Sequence, residues 1–241
     1  MKLGIIAAMT EEGRALAGGT VAAGELLRFR EGAILLVSGI GPERACLASR
    51  ILIENGAGAL MSWGFACGLQ RGISPGEIVI PGRVIAADGS IHAADPLWRE
   101  RLCSRMSPHL PVRGGSLAES FSIMPDSSAK ELLGRETGAV VSDMESASIC
   151  AAAWKAGIPF LAVRAVTDTL GMRVPWCAGS CVDRQGRIRP LRLLSGLLQS
   201  PADLPDVIRL GWSFQAARKS LKSAAALGGN LFCLNSGIEQ G

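Results

Sequence analysis

Tyrosine is missing from the 241 residues, and histidine occurs only twice, at His92 and His109. Any ring that stacks on a ligand must therefore come from Phe or Trp. The seven cysteines (Cys46, Cys67, Cys103, Cys150, Cys177, Cys181 and Cys233) are scattered, with no Cys-x-x-Cys pair and no ligand-like spacing to a histidine. That argues against a zinc site or a dithiol redox motif and fits free thiols in a reducing compartment. No apolar run approaches the roughly 20 residues that span a bilayer. The opening residues, MKLGIIAAMTEE, have no small-residue cleavage site and read as a first strand rather than a signal peptide. A cytoplasmic location is expected. No internal repeat is evident, and the Gly-rich turn GIGPE is neither a Walker A nor a dinucleotide fingerprint, so neither ATP nor NAD is implied. No cofactor is expected.

What is present is a core-forming chain with its charge gathered at one end. At 48% hydrophobic and 19% charged, it can bury a substantial core, which excludes global disorder. Its length suits one large α/β domain, alone or with an appendage. The net charge of +4 is uneven. Residues 184–223 carry eight basic residues (Arg184, Arg187, Arg189, Arg192, Arg209, Arg218, Lys219, Lys222) against Asp203 and Asp206, a balance of +6 that leaves the rest of the chain at −2.

The pattern of the first 170 residues alternates strand and helix. Strands are predicted near 3–8, 33–38, 59–65, 77–86, 139–141 and 160–166, and helices near 11–17, 43–55, 96–106, 126–136 and from 142 to Gly157. This alternation predicts an α/β fold, a single domain with a mixed, mostly parallel sheet flanked by helices. In such sheets ligands bind beyond the carboxyl ends of the strands. Glu12, Asp143, Glu145 and Asp168 each follow a predicted strand, so all four should gather on one rim. Beyond Thr169 the grammar changes: 171–189 is loop-like, and 190–199 and 203–226 read as two helices joined at Ser200-Pro201. The expected organisation is therefore a core over 1–170, a basic helical extension over 171–226 and a flexible tail over 227–241.

Ser142-x-x-Glu145 has the form of a capping box, in which each side chain satisfies a backbone N–H of a helix's first turn. Glu12 likewise suits a first turn, where the helix dipole favours an acid. On these residues alone, structural roles would suffice.

Five motifs in order change that balance. With GIIAAMTEE, SGIGPERA, WGFACGL, SDMESASI and VRAVTDT, the chain resembles the purine/uridine nucleoside phosphorylase superfamily over about 1–170. Its acids are most similar to those of the methylthioadenosine/S-adenosylhomocysteine nucleosidase branch. The tail LRLLSGLLQSPADLPDVIRL, together with GPERA, looks like the hopanoid-associated phosphorylase, which removes adenine from adenosylhopane. The resemblance implies cleavage of an N-glycosidic bond through a cationic ribosyl centre. It makes Asp168 the acid at the departing purine, a role that requires burial or the substrate to hold a proton on the carboxyl. It makes Glu145 the anchor of the ribose hydroxyls with Met144 packed on the sugar, and Glu12 the residue that orients an attacking water. Asp143 aligns with an acid to which no role in substrate contact is assigned.

Inorganic phosphate is the alternative co-substrate, with Arg44, Arg14 and the backbone of Gly41 as its candidate ligands, since a glycine turn opening a helix offers N–H groups to an anion. Phe65 stands where many relatives have a hydroxyl residue, and Phe121 or Ile123, in ESFSI, would line the base pocket. The resemblance also implies a homo-oligomer.

Three functions compete at this stage. The first is adenine release from adenosylhopane, an adenosylated hopanoid lipid, with a membrane contact made by the basic C-terminal segment, whose cations and interspersed Leu, Trp and Phe suit an interface. A helix packed on the domain with a solvated basic face explains the same segment equally well. The second is hydrolysis of small adenine thioethers, and the third is a catalytically silent nucleoside- or lipid-binding protein. Nucleic acid is not an expected partner, because aromatic interleaving is sparse.

Overall fold

The computed structural model describes residues 2–19, 21–29 and 32–229. In chain order the elements are β1 (Lys2–Ala7), α1 (Thr10–Ala17), β2 (Leu26–Phe29), β3 (Ala33–Val37), α2 (Pro42–Glu54), β4 (Ala57–Gly68), β5 (Ile78–Val79), β6 (Arg83–Ile85) and β7 (Ile91–Ala93). Then come α3 (Pro96–Met106), β8 (Val112–Arg113), β9 (Ser116–Glu119), α4 (Ser127–Thr137), β10 (Val141–Asp143), α5 (Ser146–Lys155) and β11 (Phe160–Asp168). The chain continues through α6 (Trp176–Ser180), α7 (Pro190–Gln199), a 3-10 turn (Pro201–Asp203) and α8 (Leu204–Gly228).

The predicted alternation is present, in a mixed sheet whose strands run β2-β3-β1-β4-β10-β9-β6-β7, with β11 joining β4 to β5 and β5 pairing β8. The single strand predicted over 77–86 is two, because Pro81 and Gly82 separate β5 from β6 and a proline N cannot donate to a ladder. Sequence reasoning missed β2, β7, β8 and β9, which are short.

The position of the site follows from β4. Its first half pairs with β1 in parallel, from Ala57 to Ser62, and its second half runs parallel to β11 as far as Cys67. Near its end it also pairs antiparallel with β10, through Cys67 and Gly68. One 12-residue strand thus changes neighbours midway, and the carboxyl ends of β1, β10 and β11 converge where it does so. Leu3, Ile5, Ile6, Leu35, Leu60, Met61, Trp63, Leu161 and Val163 are buried between the two helical layers, with α5 and α2 on one side.

The segment beyond 170 is not an appendage. Helix α8 packs on α1 and β11, and its residues Ala217, Leu221, Ala224 and Ala225, one helical face, belong to the same buried cluster as β1 and β4. The helix runs to Gly228, so residues 227 and 228 of the expected tail are helical; the rest of that tail, from 230 and including Cys233, lies outside the described residues. Ahead of it, α7 lies against α6 through Gly196, where a Cβ would overlap Cys177. This contact leaves Leu191, Leu194 and Leu198 exposed, as are Trp176, Leu204, Ile208 and Trp212 of the neighbouring elements; Trp176 is 84% and Trp212 75% accessible. Among the described residues, no helix is long and apolar enough to cross a membrane.

Candidate active site

Helix α1 opens directly after β1, and its third residue, Glu12, points back under the sheet end. The Glu12 carboxylate accepts hydrogen bonds from the backbone N–H of Ala8 and Met9, each at 2.8 Å, and of Phe65 at 2.7 Å. Burial pushes its pKa above the ordinary value, while the Arg164 charge and the three N–H groups oppose that rise. Gly64 permits this arrangement, since a Cβ there would overlap both the Glu12 carboxylate and the Arg164 guanidinium.

The expected capping box at Ser142 does not form. Ser142 lies in β10, and its Oγ has no hydrogen-bond partner among the described residues. Asp143 caps α5 instead, its Oδ1 accepting from the backbone N–H of Glu145 and of Ser146. Its Oδ2 meets Arg164 Nη2 at 2.6 Å. A chain of hydroxyls completes the network: Ser146 Oγ donates to Asp143 Oδ2 and lies 3.0 Å from Ser62 Oγ, whose hydroxyl can donate to it, and Arg164 donates to both serines. Asp143 and Arg164 are each 2% exposed in their side chains, so this is a buried ion pair; the Asp143 oxygens are well satisfied, while Arg164 Nε has no hydrogen-bond partner among the described residues.

Freed from capping, Glu145 turns its carboxylate into the cavity, where Oε1 accepts from the Gly41 N–H at 2.8 Å. Its pKa is pushed up to about 8, first by burial and then by the neighbouring charge of Asp143. Arg164 and the Gly41 N–H oppose the rise without cancelling it.

At the end of β11, Asp168 is not buried alone. Its Oδ2 lies 2.7 Å from Nζ of Lys130, a fully buried residue of the first turns of α4. Its Oδ1 accepts from Thr167 Oγ1 at 2.9 Å. Neither Lys130 nor Arg164 was expected. Arg164 had a legible signal, as a charge in the middle of the apolar strand FLAVRAVTD, whereas Lys130 looked like any helix lysine.

These groups share one cavity of about 180 Å³, lined by Glu12, Phe65, Ile123, Met144, Glu145 and Asp168 among others. It adjoins an outer compartment of about 850 Å³, with five residues bordering both, Ile40, Ser122, Ile123, Met144 and Val182. Phe121, Val174 and Trp176 line the outer space, so Phe121 stands at the mouth and not in the inner cavity. Phe65 packs on Phe214 of α8, with ring centroids 4.8 Å apart, which makes the C-terminal helix part of the cavity's support.

The phosphate candidates are dispersed. Gly41 has given its N–H to Glu145, and Arg44 is exposed at the outer compartment. Arg14 faces away altogether, paired with Glu11 at 2.8 Å in a separate surface groove between α1 and α8.

Comparison with known proteins agrees with the geometry. The chain is 26% identical over 199 residues (70% of its own length, 85% of the relative's) to 5′-methylthioadenosine/S-adenosylhomocysteine nucleosidase of Exiguobacterium sp. strain ATCC BAA-1283 / AT1b. Its fold matches futalosine hydrolase of Helicobacter pylori with a TM-score of 0.66 at 17% identity, covering 94% of this chain and 97% of that one. A mutant of the Helicobacter pylori methylthioadenosine nucleosidase with 5′-methylthioadenosine in its active site matches with a TM-score of 0.67 at 16% identity, covering 93% and 98%. The family model described as Phosphorylase superfamily matches residues 3–180, the span that holds every acid of the inner cavity, and the chain belongs to that superfamily.

Proposed function

We propose that this protein is an enzyme that hydrolyses the N-glycosidic bond of an adenosine nucleoside carrying a large apolar group on its ribose, releasing adenine; adenosylhopane is the first such substrate to test. The observation that carries this reading is the pairing of compartments. A small, acid-lined cavity of about 180 Å³ adjoins a larger compartment of about 850 Å³, in which Phe121, Ile123, Val174 and Trp176 provide apolar wall beside the charged Arg44, Arg173 and Asp183.

In this reading Asp168 gives a proton to the departing purine, a contribution of about 10²–10⁴-fold for general acids. Glu145 takes the ribose hydroxyls, and Met144 packs on the sugar. With its pKa at about 8, Glu145 holds a proton in the empty site at neutral pH, and a positive ribosyl centre beside it favours the ionised form. Glu12, held by three backbone N–H groups and raised by burial, is placed to take the proton of an attacking water.

Electrostatics favour water over phosphate. The inner cations are committed, Arg164 to Asp143 and Lys130 to Asp168, and the Gly41 N–H serves Glu145. A phosphate anion would enter among carboxylates, with no free cation among the described residues that line the inner cavity. The product beside adenine is then a free ribosyl compound and not its phosphate ester.

A membrane contact belongs to the same reading, through the exposed leucines and tryptophans of the C-terminal segment. The inner face of α8 is buried core, whereas Trp176, Leu191, Leu194, Leu198 and Trp212 are exposed, and Trp176 also lines the outer compartment. An apolar substrate could pass from a bilayer at these residues into the compartment without crossing water.

The test is adenine release from adenosylhopane, from shorter 5′-alkyl adenosines and from methylthioadenosine, with and without phosphate. Hydrolysis predicts rates independent of phosphate, and the outer compartment predicts kcat/KM rising with alkyl length. A preference for methylthioadenosine would instead make the protein a nucleosidase of small thioethers. A dependence on phosphate would turn attention to Arg44.

A further inference from the structure

We propose that Lys130 is the positioning residue of the leaving-group step. It would hold the Asp168 carboxyl in place and supply the positive charge against which its proton is released. This rests on the reading of Asp168 as the acid.

The ammonium is fully buried, and each of its three N–H bonds has a separate acceptor. These are Asp168 Oδ2 at 2.7 Å, the Met172 carbonyl at 2.7 Å and the Thr169 carbonyl at 3.0 Å. Two neutral carbonyls and one carboxylate complete its tetrahedron, so the cation cannot swing away to another partner. Its charge is committed to Asp168, since among the described residues that is the only carboxylate in ion-pair contact with it.

The same contacts orient the acid. Lys130 takes Oδ2 from the side of α4, while Thr167 donates to Oδ1. The carboxyl plane is therefore fixed from both oxygens at the wall of the inner cavity that Asp168 lines.

The chemistry of departure uses this placement. The C1′–N bond breaks and its electron pair leaves with the purine. The purine takes the proton from Asp168, whose O–H electrons remain as carboxylate charge. The water that adds to C1′ gives its proton to Glu12, so one proton leaves Asp168 and one arrives at Glu12. Negative charge thus develops 2.7 Å from a fixed, fully buried ammonium, where such stabilisation is stronger than in bulk water. Lys130 is fully buried and lines neither compartment, so it acts through Asp168.

A role in folding alone would tie α4 to residues 169–172 and would be indifferent to the leaving group. The experiment exploits that difference. Lys130→Met and Lys130→Gln are compared with the native enzyme on adenosine nucleosides and on a 4-nitrophenyl riboside, whose leaving group departs without a proton. We expect kcat for adenine release to fall about 10²-fold in both variants with little change in KM. Release of nitrophenolate should stay within about twofold of the native rate, which also certifies the fold.

Asp168→Asn run alongside should show the same split. If Asp168→Asn still releases adenine, the reading of the acid fails and this proposal falls with it. If Asp168→Asn shows the split but the Lys130 variants release adenine at the native rate, or lose both leaving groups equally, the acid stands and Lys130 is only structural. Native adenine release by Lys130→Gln, which restores a polar group without charge, would likewise overturn the proposal.

Discussion

Two regions of this molecule invert the usual division between inside and outside, and they do so in opposite senses. Around the inner cavity, Glu12, Asp143, Glu145 and Asp168, with Arg164 and Lys130, are buried at or below 8% exposure, where charge is costly unless paired. On the α6–α7–α8 surface, leucines and tryptophans are left in water, where apolar area is unfavourable. The first region pairs each of its cations with a carboxylate and leaves the Arg164 Nε–H without an acceptor among the described residues, so its charges are held but not fully satisfied. The second makes few contacts of its own, because α7 contributes no fully buried residue. Misplaced polarity in a core has to be held by neighbours, whereas misplaced apolarity on a surface waits for one.

That comparison can be broken most forcefully in the buried region. Asp168→Asn should lower adenine release by about 10²–10⁴-fold with an unchanged circular dichroism spectrum, and release near the native rate would remove Asp168 from the chemistry. Arg164→Met should strand the Asp143 carboxylate without its cation. Losing one partner of such a pair costs about 3–5 kcal/mol, or a melting point lower by roughly 10 °C for a chain of this size. A melting curve that does not move would mean that Asp143 finds another partner or stays protonated.

A subtler effect sharpens the comparison through pH. The folded protein holds the Glu145 proton up to about pH 8, whereas the unfolded chain releases it near 4.5. Between those values unfolding releases a proton, so stability should fall as pH rises across the window. Glu145→Gln should flatten that slope by roughly 5 °C of melting temperature between pH 5 and pH 8. Equal slopes in the two proteins would show that other groups govern it.

The smallest effect on the enzyme itself belongs to the exposed region. Leu191→Glu with Leu198→Glu should leave turnover of a soluble adenosine substrate within about twofold, since surface changes rarely exceed 0.5 kcal/mol. Binding to anionic vesicles, read by flotation, should drop by about tenfold or more, because each buried leucine contributes roughly 1.5–3 kcal/mol. Unchanged flotation would separate this surface from any bilayer. A protein that loses self-association instead would identify a second copy of the chain as its cover.

Much of this was legible in the residues. The alternation of strands and helices, and the habit of each acid of following a strand, placed Glu12, Glu145 and Asp168 together before any coordinates. Helical period could also have set Arg14 aside, since Glu12, Ala15 and Leu16 share the buried face of α1 and Arg14 does not. The capping box was misread because Ser142 remains in its strand and Asp143, one residue on, has the shorter reach to the free N–H groups. Lys130 was not legible at all. Its partner lies 38 positions away, and the two carbonyls that fix it belong to a turn whose path only the folded chain defines. The outer compartment was hidden for a similar reason, being assembled from α2, the 121–125 loop and the segment after β11.

The missing tyrosine has a consequence for optics. With no phenol in the chain, near-ultraviolet emission comes from tryptophan alone, and the five tryptophans are already sorted by position. Trp63 and Trp98 are sealed in the core, while Trp154, Trp176 and Trp212 stand in solvent. An aqueous quencher therefore reaches one class and spares the other. Trp176 looks into the outer compartment and Trp212 lies on the apolar face two residues from Phe214. The protein thus carries its own dyes at the two places where an apolar guest would arrive, one at the door and one on the step.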